Sequence, residues 1–233
     1  MNTVHDNLIT IKNKINKIAL DCDRDPKSIE LIAVSKTKPV ELISQAINAG
    51  QLSFGENYVQ EGIEKIAHFK QCMPDIPIVW HFIGPLQSNK TKLVAENFDW
   101  MHTIDRFKIA QRLDSQRPTN MDKLNVLIQV NISNEQTKSG VAIDEVADLI
   151  KQIITLPNLR LRGLMAIPEI ENDFAKQFAV FKQMNQLLES LKTDYPFLDT
   201  LSMGMSGDMQ AAIEAGSTMV RIGSAIFGAR QYV

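Results

Sequence analysis

The apolar positions of the chain change period after its first helical stretch. Val4, Leu8, Ile11, Ile15 and Ile18 recur at spacings of three and four, which predicts one amphipathic helix. The polar stretch Asp21–Pro26 ends it. From there short apolar runs alternate with helical patterns. The runs fall at 31–35, 52–54, 78–82, 100–103, 125–131, 159–165, 199–202 and 219–222. The first, LIAVS, is too short for a helix and apolar on both faces, as a strand of a buried parallel sheet should be. Between the runs the pattern predicts helices over 39–49, 58–71, 89–97, 106–116, 143–155, 174–191 and 209–215. Pro39 opens the first of these and Gly50 closes it, the expected proline-start and glycine-stop asymmetry. Eight strand-plus-helix units predict an α/β fold, a single (β/α)8 TIM barrel, over an open doubly wound sheet. The leading helix is an extra, expected outside the barrel or across its bottom. No linker, repeat or low-complexity run divides the 233 residues, so one domain over 1–233 is expected.

Composition narrows the function classes. The net charge of −2 gives no global attraction to nucleic acid or anionic lipid. Cys22 and Cys72 form no CxxC pair, so neither a zinc ribbon nor a disulfide framework is suggested. There is no run of roughly 18 apolar residues to span a membrane. The N-terminal segment is polar, unlike a signal peptide. A reducing cytoplasm is the expected compartment.

Chemistry in such barrels sits where strands end and the following loops begin. Lys36 follows the first strand and shares a face with Ile32 and Val34, which puts it at the barrel mouth. A lysine among apolar neighbours can lose its proton and form a Schiff base; the plainer alternative is a strand-end lysine reaching solvent. Asn57, after the second strand, is either a ligand contact or a helix cap. His81 ends the third strand and reads as structural, with no second histidine at metal-ligand spacing. Asp105 and Arg106 read as the start of the next helix. The last two strands are followed by Met203-Gly204-Met205-Ser206-Gly207-Asp208 and by Gly223-Ser224. Small residues there expose N–H groups and hydroxyls, a cradle for phosphate in the loops where these barrels commonly bind it. Capping serines and turn glycines are the plainer reading. Arg221 ends strand eight and, if buried, needs an acceptor: a ligand atom, or a carboxylate such as Glu214. A strand-end lysine, a phosphate cradle and a polar partner for a ring nitrogen are together what pyridoxal 5′-phosphate (PLP) requires. A barrel binding another phosphate, such as a sugar phosphate, would use the same loops.

The segments IAVSKTKP (32–39), FGENYVQE (54–61), WHFIGPLQSNK (80–90), HTIDR (102–106), VLIQVNIS (126–133), LRGLMAIPE (161–169) and LSMGMSGDMQAAIEAGSTMVRIGSAIFG (201–228) run in order through nearly the whole chain. In these the sequence resembles the pyridoxal phosphate homeostasis protein family, relatives of the alanine racemase barrel. The resemblance implies that Lys36 holds PLP as a Schiff base and that Ser206, Gly207, Gly223 and Ser224 surround its phosphate. It implies that Arg221 faces the pyridine nitrogen, that Asn57 and Met203 lie near the ring, and that His81 and Ile83 are wall positions. It also implies a secondary cofactor contact at Lys138, which the sequence alone reads as an exposed loop lysine.

Two functions of different class fit this resemblance: a carrier that regulates intracellular PLP (vitamin B6), and an amino-acid racemase. Racemisation needs an acid or base on each face of the substrate. Lys36 supplies one. In the racemase relatives a tyrosine from a second domain of a partner chain supplies the other, whereas this sequence stops at Val233, directly after the barrel. Tyr58, Tyr195 and Tyr232 offer no evident second base. The expectation is a non-catalytic, monomeric carrier with apo PLP-dependent enzymes as recipients, and no nucleic-acid, membrane or metal partner.

Overall fold

The structure, a computed structural model, describes residues 3–132 and 139–229. Eight parallel strands close into a barrel in sequential order. They are β1 (Glu30–Val34), β2 (Ser53–Glu56), β3 (Val79–Phe82), β4 (Trp100–Ile104), β5 (Leu124–Gln129), β6 (Leu159–Met165), β7 (Thr200–Ser202) and β8 (Met219–Ile222). Helix α1 (Val4–Asp21) leads, and α2 (Val40–Asn48), α3 (Val59–Cys72), α4 (Thr91–Asn97), α5 (Phe107–Gln116), α6 (Val146–Ile153), α7 (Phe174–Lys192), α8 (Met209–Glu214) and α9 (Ser224–Phe227) follow one strand each. The eight-unit barrel read from the hydrophobic pattern is therefore the observed fold. The boundaries moved in a few places. β2 begins later than its apolar run and includes Glu56, which a buried partner allows. The helices expected from 89 and from 143 each open with a turn of 3₁₀ helix before α4 and α6.

Helix α1 packs outside the barrel, against α2, α8 and α9. Its stripe of Val4, Leu8, Ile11, Ile15 and Ile18 is buried. A capping box fixes its start: the Asp6 amide donates to Thr3 Oγ1, and the Thr3 amide donates to Asp6 Oδ2. Asn7 Nδ2 then donates to the Ile226 carbonyl of α9 at 2.8 Å, tying α1 to the turn after β8.

The strands bury both faces, and two cores result. The larger lies between strands and helices. The smaller fills the barrel with Ile32, Trp100, Leu127, Met165 and Met219. These inward positions come from the period of two, which also sends Ile222 and Met203 outward to the larger core. Where β6 passes β7, Gly163 is required, because a Cβ there would collide with the Thr200 carbonyl. Among the described residues no helix is long and apolar enough to cross a membrane, and no group of three His, Cys, Asp or Glu stands where it could hold a metal ion.

Candidate ligand-binding site

At the C-terminal mouth of the barrel lies a cavity of about 390 Å³. Its walls include Lys36 and Val34 from the end of β1, Asn57 after β2, Ile83 after β3, and Arg221 on β8. Its rim is formed by Ser206 and Gly207 after β7, and by Gly223 and Ser224 after β8. Residues that are far apart in sequence meet here because each ends a strand of one closed barrel.

The loop carrying Lys36 is pinned from behind. Thr37 takes a positive φ of 61°, unusual for a β-branched residue, directly after Lys36. Its amide donates to Glu61 Oε1 of α3 at 2.6 Å. Lys65, one turn further on, donates to Glu61 Oε1 at 2.6 Å, to Glu56 Oε1 at 2.8 Å and to the Ser35 carbonyl at 2.7 Å. Ser35 Oγ completes the cluster by donating to Glu56 Oε1 at 2.6 Å. Burial pushes the Glu56 carboxyl above its usual range, and Lys65 offsets part of that rise.

Arg221 is buried and points inward. Its Nη1 donates to Ser202 Oγ at 2.7 Å and its Nη2 to the Ala166 carbonyl at 3.0 Å. The carboxylate considered from sequence, Glu214, is on α8, where it accepts from Gln210 instead. Burial lowers the Arg221 guanidinium to about 10, with the Asp208 charge opposing the shift. It remains a cation at neutral pH and can only donate hydrogen bonds.

Asn57 is not the cap of α3, a position taken by Tyr58. Its Oδ1 is buried and has no hydrogen-bond partner among the described residues. The chain beside it passes very close at Gly84, where any Cβ would strike the Asn57 backbone. The Gly84 carbonyl in turn accepts from Thr103 Oγ1 at 2.6 Å. Opposite, a Cβ at Gly207 would meet nothing, so the rim there is open.

Of the residues singled out from sequence, Lys36, Asn57, Ile83, Ser206, Gly207, Arg221, Gly223 and Ser224 surround this one cavity. Met203 does not line it. Ser202 points inward, so Met203 points outward and is fully buried in the larger core. Met205, two residues on, lines the cavity in its place. His81 is buried beneath the cavity and meets His102 of the next strand, with 3.0 Å between His81 Nδ1 and His102 Nε2. Lys38 and Ile167 line the cavity and were not anticipated, although Lys38 follows Lys36 at strand spacing. Lys38 Nζ donates to the Gly228 and Ala229 carbonyls. Lys138 and Tyr232 lie outside the described residues.

The alanine racemase N-terminal domain model matches residues 7–231. The pyridoxal phosphate homeostasis protein of Escherichia coli K12 is 58% identical across 100% of this chain and 99% of its own length. Among solved structures, PipY of Synechococcus elongatus with PLP bound superposes with a TM-score of 0.83 at 32% identity, covering 97% of this chain and all of PipY. Alanine racemase of Clostridium difficile shares the fold, with a TM-score of 0.72 at 17% identity, and this chain covers 58% of it. A family model spanning nearly every residue and a relative matched end to end lead to one assignment: the chain belongs to the pyridoxal phosphate homeostasis protein family, built on the alanine racemase N-terminal domain barrel.

Proposed function

We propose that the chain holds PLP in the mouth cavity as a Schiff base on Lys36 and serves as a carrier and regulator of cofactor level without turnover. The observation that carries this reading is the convergence of Lys36 and the buried Arg221 on one cavity with an open Ser-Gly rim. The residues present fit the group. A cavity of about 390 Å³ lies within the size range of small-ligand pockets. Ser206, Gly207, Gly223 and Ser224 offer hydroxyls and amides to a phosphate, with open space at Gly207. Asn57 Oδ1 is an acceptor that a ligand hydroxyl would satisfy.

PLP supplies an aldehyde, with which a neutral lysine amine condenses to an imine and water. The protein's part is orientation. With the cofactor bound, Arg221 would donate toward the pyridine nitrogen and could not accept its proton, which would keep that nitrogen neutral and limit its pull on electrons. The fixed Thr37–Glu61 contact sets where the Lys36 backbone ends. Among the described residues that line the cavity the titratable side chains are Lys36, Lys38 and Arg221, and Lys38 is engaged with backbone carbonyls. This supports a carrier, because racemisation needs an acid or base on each face. Apo PLP-dependent enzymes are the proposed recipients.

The test is borohydride reduction of the protein mixed with PLP, with the labelled residue located by mass spectrometry. Label at Lys36, and loss of the visible absorbance in Lys36→Ala, are expected. An unchanged lysine-linked spectrum in Lys36→Ala overturns the site. Robust turnover of either alanine enantiomer by the pure protein overturns the carrier reading.

A further inference from the structure

Below the cavity, four polar side chains from four strands form a continuous line through the barrel interior. Arg221 Nη1 lies 2.7 Å from Ser202 Oγ. Ser202 Oγ lies 3.0 Å from His102 Nδ1, and His102 Nε2 lies 3.0 Å from His81 Nδ1. His81 Nε2 then faces Glu30 Oε1 at 3.7 Å, at the opposite end of β1 from Lys36. Both histidines are completely buried. Trp100 stacks on the His81 ring at 5.5 Å between centroids, and Arg162 caps Trp100.

The line can run in only one direction. Arg221 has donors alone, so Ser202 Oγ accepts from it. If His102 Nδ1 also donated to that oxygen, the serine hydrogen would be left without a partner in a dry interior, a cost of about 1–3 kcal/mol. Ser202 therefore donates to His102 Nδ1, and His102 Nε2–H donates to His81 Nδ1. The far end agrees independently. His81 Nε2 has no partner at hydrogen-bond distance among the described residues, and the nearest charge is a carboxylate. An N–H there is attracted to Glu30, whereas a lone pair would be repelled. Burial also disfavours the charged form of both rings, taking His81 to about 3 and His102 well below its usual value.

We infer that His102 and His81 are positioning residues for Arg221, locked as neutral Nε2–H tautomers in a one-way hydrogen-bond chain that runs from Arg221 through Ser202 toward Glu30. Each donor in such a chain strengthens the next acceptor. Ser202 Oγ thus becomes a better acceptor for a guanidinium that, among the described residues, has no carboxylate in hydrogen-bond contact, and the Arg221 fork is held in one orientation toward the cavity. The orientation toward a ligand nitrogen rests on the PLP reading above; the tautomers do not.

The first test uses the full chain without cofactor. Nitrogen NMR of ¹⁵N-histidine-labelled protein at neutral pH is expected to show protonated Nε2 and bare Nδ1 at both rings. An Nδ1–H tautomer or an imidazolium at either position overturns the inference. The second test compares His102→Leu with His102→Gln, since Gln can accept from Ser202 and donate to His81. In folded variants, the Leu change is expected to shift the absorption of bound PLP and to speed its release about tenfold, with Gln restoring wild-type behaviour. Equal spectra and release rates in wild type, Leu and Gln variants overturn the positioning role. Failure of the wild-type chain to bind PLP would instead reject the site reading, and the tautomer measurement would still decide the chain.

Discussion

Two buried polar assemblies lie against the same cavity and use opposite electrostatics. Behind Lys36, Lys65 bridges Glu56 and Glu61, and the cluster is charged. Inside the barrel, His81, His102 and Ser202 are neutral and lead away from one cation, Arg221. The charged cluster sits where α3 meets the sheet, with Glu61 a quarter exposed at 27% and able to reach water. The histidine line is wholly enclosed, where each added charge would carry a desolvation cost of several kcal/mol. The ions can pin this loop because Lys65 meets two carboxylates and a backbone carbonyl at once, and one of those carboxylates reaches water. In the dry barrel axis, oriented neutral dipoles can fix a guanidinium without burying a second charge.

The sharpest way to break this comparison is to remove the charge at its centre. Lys65→Met leaves Glu56 buried without its partner and is expected to cost about 3–5 kcal/mol in urea unfolding. It should also loosen the Ser35–Thr37 turn, since Lys65 holds the Ser35 carbonyl. A cost below about 1 kcal/mol, the range of exposed ion pairs, would mean that the cluster behaves as a surface feature. Next in size is His102→Phe, which keeps a ring but removes both nitrogens. The Ser202 hydroxyl hydrogen and His81 Nδ1 both lose their partner, neutral groups whose loss is expected to cost about 1–3 kcal/mol in the same measurement. A loss as large as that of Lys65→Met would show that the neutral line is not the cheaper design.

The smallest expected effect is also the most diagnostic, because the two assemblies respond to pH with opposite sign. Glu56 has a raised folded-state value, so its contribution is complete below about 4.5 and is lost as pH rises through the raised value. The histidines have lowered values, so theirs is complete above about 6.5 and is lost as pH falls below it, for His81 as pH approaches about 3. Urea midpoints measured across this range should therefore decline less steeply on the alkaline side in Glu56→Gln. In His102→Phe they should decline less steeply on the acid side. The same-side change in both variants would contradict the assignment of charge to one cluster and neutrality to the other.

Much of the site could be read before the fold was seen. Lys36 follows Ile32 and Val34 at strand spacing, and the small residues around 206 and 223 follow the last two apolar runs. These are local patterns, and the barrel converts any strand end into part of its mouth. Met203 shows where local reading stops: it lies in the right loop, but strand alternation turns it outward and brings Met205 to the cavity. Asn57 shows the same limit, since cap and cavity wall differ only in where α3 begins.

The sequence by itself determined the eight strand-helix units, the leading amphipathic helix and most of the side chains at the barrel mouth, because periods of two and 3.6 and turn residues act over a few positions. Tertiary structure alone decided that His102 would meet His81 across 21 residues and Ser202 across 100. It also decided that Arg221 would lean on that line and not on Glu214. Those contacts depend on how far neighbouring strands are staggered when the sheet closes. Stagger is a property of the whole ring of strands, which no segment of the chain encodes alone.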